Sequence, residues 1–208
     1  MTGLPDTWKL LALACEIAGV AGYLLGSIPF GVLITRALGL GDVQKIGSGN
    51  IGATNVLRTG NKWAAALTLV MDAAKGAAAV LAGQLLGGDV AAAVGGFAAF
   101  LGHLYPVWLD FKGGKGMATF LGVALAVFWP VGIMAVLTWL AVALLWRTSS
   151  LSSLIAAAAT PIYLAFWQEY LFAVLMFALA LLIFATHEAN IKRLRAGTEP
   201  KIGNTGTA

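Results

Sequence analysis

Between Met117 and Trp146 the chain runs for 30 residues without a charged side chain. About 20 apolar residues already cross the hydrocarbon core of a bilayer, so such a run belongs in lipid. It is not isolated. Further apolar runs extend from Leu10 to Leu38, Trp63 to Leu86, Val90 to Leu109, Leu151 to Trp167 and Tyr170 to Thr186. None alternates with the period of two that a barrel strand requires, so they read as helices. Of the 208 residues, 60% are hydrophobic and 11% charged, against roughly 25% charged in soluble domains. This balance excludes an ordinary soluble domain, a disordered chain and a nucleic-acid binder. It leaves an all-α, polytopic integral membrane protein. The single cysteine, Cys15, excludes a disulfide framework or a cysteine-based metal site. There is no internal repeat, and residues 1–208 read as one membrane-embedded domain with a disordered tail expected over 202–208.

The charges decide the topology. Of the 13 Lys and Arg residues, eleven lie in or beside four polar stretches, those around Arg36 to Lys62, Lys112 and Lys115, Arg147, and Lys192 to Lys201. If the 30-residue run is two spans meeting near Pro130, all eleven fall on one side of the membrane. If it is one span, Arg147 and the basic tail fall on the other. Cytoplasmic loops carry the excess of Lys and Arg. The sequence therefore predicts seven transmembrane helices, the fourth and fifth short, with the N-terminus out and the C-terminus in. The functional face is expected on the cytoplasmic side.

Three charged residues lie deep within the apolar runs, Arg36 being near the end of its run. Each costs on the order of 3 kcal/mol at membrane depth. Asp72 and Lys75 are three apart and share a helix face. Glu16 enters from the opposite side of the membrane and is placed at a similar depth. The two readings are an interhelical ion-pair cluster that fixes packing and a path for substrate or protons.

The polar stretches carry the chemistry. The first reads Gly47-Ser48-Gly49-Asn50-Ile51-Gly52-Ala53-Thr54-Asn55-Val56-Leu57-Arg58. Its glycines permit close backbone approach to a ligand, and Arg58 suits a phosphate. The second carries His103 and then Gly113-Gly114-Lys115-Gly116 directly before a helix. Exposed N–H groups, a helix N-terminus and a lysine together make a phosphate site, although the spacing is not that of a nucleotide-binding loop. The third places His187, Asn190 and Arg193 along one helical stripe, followed by Glu199. Arg58, Lys115, Lys112 and Arg193 thus converge on one aqueous face, a site for one or two phosphates at a bilayer surface. No metal-ligand cluster, carboxylate pair or His-x4-Asp dyad is present. A transporter of a phosphorylated solute and a non-catalytic lipid-binding factor remain the alternatives to an enzyme.

These segments are similar to the motifs of a known family. They are Gly26-Ser27-Ile28-Pro29-x-Gly31, the Gly47–Arg58 loop, Gly102-His103-x-x-Pro106 with Phe111 to Thr119, and His187-x-x-Asn190-Ile191-x-Arg193-Leu194-x-x-Gly197-x-Glu199. Their order and content resemble the PlsY family, bacterial membrane acyl-phosphate:glycerol-3-phosphate acyltransferases. The resemblance runs from about residue 22 to 201. It implies transfer of a fatty acyl group from acyl phosphate to the 1-hydroxyl of sn-glycerol 3-phosphate, giving lysophosphatidic acid and phosphate in phospholipid synthesis. It implies no cofactor and no metal. On this reading Ser48, Arg58, Lys115, His187 and Asn190 hold glycerol 3-phosphate. Thr54, Asn55, Gly113, Gly114, Lys115 and Gly116 hold the acyl phosphate. His187, Lys115 and Arg58 are catalytic, and Glu199 and His103 are structural. The base is either His187 or a substrate phosphate. The expected partners are the two substrates and the bilayer, with association with the enzyme that forms the acyl phosphate, and the chain is expected to be a monomer.

Overall fold

The structure is a computed structural model that describes residues 7–203. Its helices are α1 (Thr7–Gly26), α2 (Phe30–Ala37), the short α3 (Ala53–Val56), α4 (Lys62–Leu104), α5 (Met117–Val127), α6 (Trp129–Trp146), α7 (Ser149–Phe166), α8 (Tyr170–Thr186) and α9 (Glu188–Arg195). Four segments are long and apolar enough to cross a membrane, or five if α8 and α9, bent by 65° at His187, count as one broken span. Large apolar side chains such as Leu85, Phe166, Leu144 and Val174 lie exposed on the outside, where lipid would cover them. Phe100, Phe120, Leu164 and Ile183 are fully buried.

Glycine sets how closely the helices approach. The buried residues of α1 are Ala14, Ala18, Gly22 and Gly26, spaced by four. A Cβ at Gly22 would strike the backbone of Gly95, and one at Gly26 the backbone of Ala99. Small residues at this spacing let helices pack backbone to backbone, the main source of helix association where lipid removes the hydrophobic drive. α4 is a hairpin rather than one rod. Gly87 and Gly88 leave helical geometry, Gly88 at φ +68°, and the arms 62–86 and 89–104 return against each other, with Gly83 on Ala91 and Gly95 on Ala79. The expected turn at Gly87-Gly88-Asp89 is therefore present, and so is the break at Gly26 to Pro29 between α1 and α2.

The 30-residue apolar run divides at Phe128, whose backbone is extended at φ −158° and ψ 94°. Pro130 sits in the first turn of α6, where its missing N–H costs nothing. Only one of the two resulting helices is short. α5 has 11 residues and α6 has 18, so the expectation of two short helices is corrected for α6. The reason is that the break falls before the proline rather than at it. α5 instead crosses the first arm of α4 where Gly76 meets Thr119 and Gly122 meets Ala73, and Thr119 donates a 2.9 Å hydrogen bond to the Asp72 carbonyl. The glycine-rich loop before α5 is thereby level with the middle of that arm. Of the tail expected to be disordered, the Ile202 N–H is bonded to the Arg147 carbonyl at 2.6 Å; residues 204–208 lie outside the described residues.

Candidate active site

The first polar loop is organised by Asn55. Its amide nitrogen donates to the carbonyls of Val43, Ile46 and Asn50 at 2.8, 2.9 and 2.8 Å. Its Oδ1 accepts from the Ser48 N–H at 3.2 Å and from Arg58 Nη1 at 3.3 Å. Gly47 takes a left-handed φ of +53°, and the Arg58 guanidinium lies where its Cβ would stand. Asn55 is buried at the cavity lining, and its side-chain atoms are committed to the loop, where they position Ser48 and Arg58.

The second loop behaves differently from its sequence reading. The Gly113 and Gly114 N–H groups donate inward to the carbonyls of Leu104 and His103, both at 3.0 Å. Gly116, Met117 and Ala118 line the cavity at the start of α5, where N–H groups have no partner within the helix. Gly116 takes φ +89° to turn the chain into that helix. Lys115 Nζ hydrogen-bonds Asn190 Oδ1, and the Lys115 carbonyl accepts from Thr186 at 3.2 Å, so the loop is tied to α8 and α9. Lys112 is exposed and is not part of the cavity lining, so it does not join the convergent cations.

The third segment completes a polar chain. Asn190 Nδ2 donates to Glu199 Oε1 at 2.6 Å, Ser150 Oγ to the same oxygen at 2.7 Å, and Arg193 Nε to Glu199 Oε2 at 2.6 Å. Burial pushes the Glu199 carboxyl up, but these three hydrogen bonds outweigh it and hold Glu199 below the usual carboxylate range. Burial and the neighbouring charges of Arg193 and Arg58 lower Lys115, with Glu199 pulling the other way. His187 is buried, and its Nδ1 lies 2.8 Å from the Ile183 carbonyl. A carbonyl only accepts, so Nδ1 carries the proton. Burial, aided by the Lys115 charge, pushes His187 down to about 4. At neutral pH it is uncharged, with Nε2 free to accept.

These groups meet in one cavity of about 470 Å³. Its polar end is lined by Ser48, Thr54, Arg58, Lys115, His187 and Asn190, with Arg193, Glu199 and Lys201. Its other end is apolar, with Leu69, Leu121, Leu125, Val136, Trp139 and Leu140. Ser149, Ser150 and Lys201 also face it and were missed in the sequence. The one signal for the two serines was a hydroxyl-rich start to α7, which reads equally well as a plain loop, and Lys201 had none beyond its charge. Among the described residues no group of three His, Cys, Asp or Glu side chains converges as a metal site.

Beneath the glycine-rich loop lies a buried charge cluster, whose Asp72 and His103 form part of the cavity lining. Asp72 Oδ1 is 2.8 Å from Lys75 Nζ and 3.6 Å from His103 Nδ1, and Lys75 donates to the Ile28 carbonyl at 2.9 Å. The His103 ring abuts Gly114, where a Cβ would collide with it. Glu16, expected at the same depth, is exposed on α1. His103 is carried on the second arm of α4 and meets Asp72 on the first.

A family model described as glycerol-3-phosphate acyltransferase matches residues 17–197. A glycerol-3-phosphate acyltransferase of Cereibacter sphaeroides is 61% identical over 196 residues, covering 94% of this chain and 95% of its own length. One from Caulobacter vibrioides is 56% identical, covering 96% and 93%. The crystal structure of PlsY, an integral membrane glycerol 3-phosphate acyltransferase in its glycerol 3-phosphate form, superposes with a TM-score of 0.86 at 37% identity, covering 91% of this chain and 96% of that one. Its lysophosphatidic acid form gives a TM-score of 0.84 at the same identity, covering 91% and 95%. The chain belongs to the PlsY family of glycerol-3-phosphate acyltransferases.

Proposed function

We propose that the protein transfers a fatty acyl group from acyl phosphate to the 1-hydroxyl of sn-glycerol 3-phosphate, giving lysophosphatidic acid and phosphate for phospholipid synthesis. The observation that carries this reading is the two-ended cavity. One end gathers Arg58, Lys115, Arg193 and Lys201 around Glu199, with Asp72 also in the lining but paired to Lys75, and the other is an apolar groove. Two phosphates, each carrying about −1.5 to −2 charges near neutral pH, suit the first end. A fatty tail suits the second.

Lys115, Asn190, Arg58, Ser48 and His187 hold glycerol 3-phosphate. Thr54, Lys115 and the first turn of α5 hold the acyl phosphate, with Gly113, Gly114 and Asn55 setting the loops that carry them. The hydroxyl oxygen attacks the acyl carbon, the carbon–oxygen bond to phosphate breaks, and phosphate leaves with the electron pair. His187, pushed down to about 4, is a weaker proton acceptor than a phosphate dianion with a second pKa near 6. His187 Nε2 therefore orients the hydroxyl, and the departing phosphate takes its proton. Acyl phosphate is already activated, so positioning and charge stabilisation supply the catalysis.

The topology that fits is seven crossings, N-terminus out and C-terminus in. They are the segments 7–37, the two arms of α4, and α5 to α8, with the site on the cytoplasmic face of a bacterial inner membrane. α5, about 16 Å long at 1.5 Å per residue, is too short to cross alone. The glycine-rich backbone before it lines the cavity, where irregular backbone is tolerated at depth. We read the protein as active as a monomer, working beside the enzyme that makes its acyl phosphate.

The test is to incubate purified protein in lipid with palmitoyl phosphate and glycerol 3-phosphate. Lysophosphatidate and inorganic phosphate in equal amounts are expected, with none from palmitoyl-coenzyme A. Product from the thioester, or none from the phosphate, overturns the donor assignment.

A further inference from the structure

One wall of the cavity is built by residues outside every motif. The chain after Glu199 turns back over the junction of α6 and α7. There the Ile202 N–H meets the Arg147 carbonyl at 2.6 Å, and Arg147 Nη2 meets the Ile202 carbonyl at 3.3 Å. This pairing holds Lys201 in place. Its ammonium donates to the Trp146 carbonyl at 3.0 Å and to Thr148 Oγ1 at 3.2 Å. Both are neutral acceptors, and no carboxylate pairs with it among the described residues. A lysine has three donors, so two such bonds leave one donor and the whole charge. Next to it, Ser149 Oγ lies 3.3 Å from Thr54 Oγ1, bridging α7 to the first polar loop. Lys201, Ser149 and Thr54 all line the cavity.

The corner stands above the apolar groove. Trp139, which lines that groove and donates to Ser153 Oγ at 3.2 Å, lies on α6 seven residues before Trp146. That is about two turns, roughly 10 Å along the helix. A tail lying along Trp139 therefore brings its head towards the Trp146 end. Charge makes the same point. With Lys201 included, and with Asp72 cancelled by Lys75, four cations and Glu199 in the cavity lining leave a net of three positive charges for two phosphates. Without it only two remain.

We propose that Lys201, with the Thr54–Ser149 hydroxyl pair, is a binding residue for the phosphate of the acyl donor and holds that phosphate as it leaves. This rests on the reading that the donor is an acyl phosphate. The glycerol hydroxyl forms the new bond to the acyl carbon, and the acyl–phosphate oxygen bond breaks. The oxygen keeps the electron pair, and Lys201 meets the charge on the phosphate produced.

The experiment uses the full chain in lipid, with palmitoyl phosphate, glycerol 3-phosphate and inorganic phosphate as inhibitor. Removing one charge-assisted hydrogen bond predicts that Lys201→Met raises the KM for palmitoyl phosphate, and the Ki of inorganic phosphate competing with it, by about tenfold. The KM for glycerol 3-phosphate stays within about twofold, and Lys201→Arg recovers most of the loss. A purely structural role of Lys201 would not shift the phosphate Ki selectively. Unchanged donor KM and phosphate Ki, or a change confined to glycerol 3-phosphate, overturns the assignment. If Lys201→Met does not fold, Ser149→Ala is read instead. A phosphate Ki raised about threefold supports the subsite, on the scale of one neutral hydrogen bond, and an unchanged Ki overturns it. Wild-type protein that makes no lysophosphatidate from palmitoyl phosphate overturns the donor reading, and this subsite with it. Normal wild-type turnover with an unaltered Lys201→Met overturns the subsite alone.

Discussion

Two charge clusters lie on either side of the glycine-rich loop, and they are built on opposite principles. The inner one, Asp72 with Lys75 and the His103 ring, is buried at the cavity wall, and its anion and cation balance. The outer one, Arg58, Lys115 and Arg193 with Glu199, borders the cavity and is overloaded with cations. A balanced buried pair has no charge left for a ligand and is costly to break. An unbalanced cluster at a cavity is costly to keep without an anion; burial first, and the Arg193 and Arg58 charges after it, lower Lys115. Balance, rather than the mere presence of charge in the membrane, separates helix packing from substrate binding.

The outer cluster should give the largest effect on activity and the smallest on the fold. Lys115→Met removes the cation shared by both proposed phosphates. Turnover is expected to fall by at least about a hundredfold, the scale of losing one preorganised charge contact in a transition state, with little change in thermal unfolding. Retention of more than a tenth of the rate would place the phosphates elsewhere. The inner cluster should do the reverse. Asp72→Leu leaves Lys75 buried without its counter-charge, and about 3–5 kcal/mol of stability is expected to go. The double variant Asp72→Leu with Lys75→Met should recover most of it, because neither charge then needs the other. A double variant no more stable than the single one would mean that the pair does more than balance itself.

How far the sequence carried this contrast differs between the clusters. Asp72 and Lys75 were legible because they are three apart on one helix, and Arg58, Lys115, His187 and Asn190 because their spacing and neighbours are specific. His103 was placed as structural, yet its partner was not visible, since Asp72 lies 31 residues earlier, across the α4 hairpin. Ser150 and Lys201 were illegible for the same reason. Their contacts with Glu199 and Trp146 span 49 and 55 residues, and no local pattern encodes them. The Gly113 and Gly114 amides were misread in direction, because a run of glycines shows where N–H groups are available but not that the His103 and Leu104 carbonyls already take them. The break at Phe128 was foreseen through Pro130, but the length of α6 depends on which side of the proline the helix starts.

Acid provides a milder way to disturb the outer cluster. His187 has an ordinary value of 6.5 and is held at about 4 in the fold. Between those values the unfolded chain binds more protons than the folded one, so this group lowers stability as pH falls from about 6.5 towards 4 and adds nothing further below. Glu199 is held below its ordinary 4.5, so its contribution is present above that value and is lost as pH falls through its folded value. Unfolding temperature measured from about pH 7 down to pH 4.5 should therefore fall first through His187. His187→Asn should flatten that part of the curve. An unchanged slope in the variant would assign the acid sensitivity to other groups.

The smallest expected effect sharpens the comparison from outside both clusters. Glu16 carries the same formal charge as Asp72 and lies within the same apolar stretch of sequence as the other buried residues of α1, yet it is exposed while Ala14 and Ala18 face α4. Glu16 is the tenth of the 20 residues of α1, on a face other than the one packed against α4. Glu16→Gln should shift stability by less than about 0.5 kcal/mol, the scale of a surface substitution, and leave turnover unchanged. Asp72→Asn, with the same loss of charge on a residue of 1% exposure, should cost several times more. Thermal unfolding of the two variants in one lipid compares them directly. If Glu16→Gln were as damaging as Asp72→Asn, depth in the sequence would be setting the cost. If it is not, the cost is set by whether the charge has a buried partner to abandon.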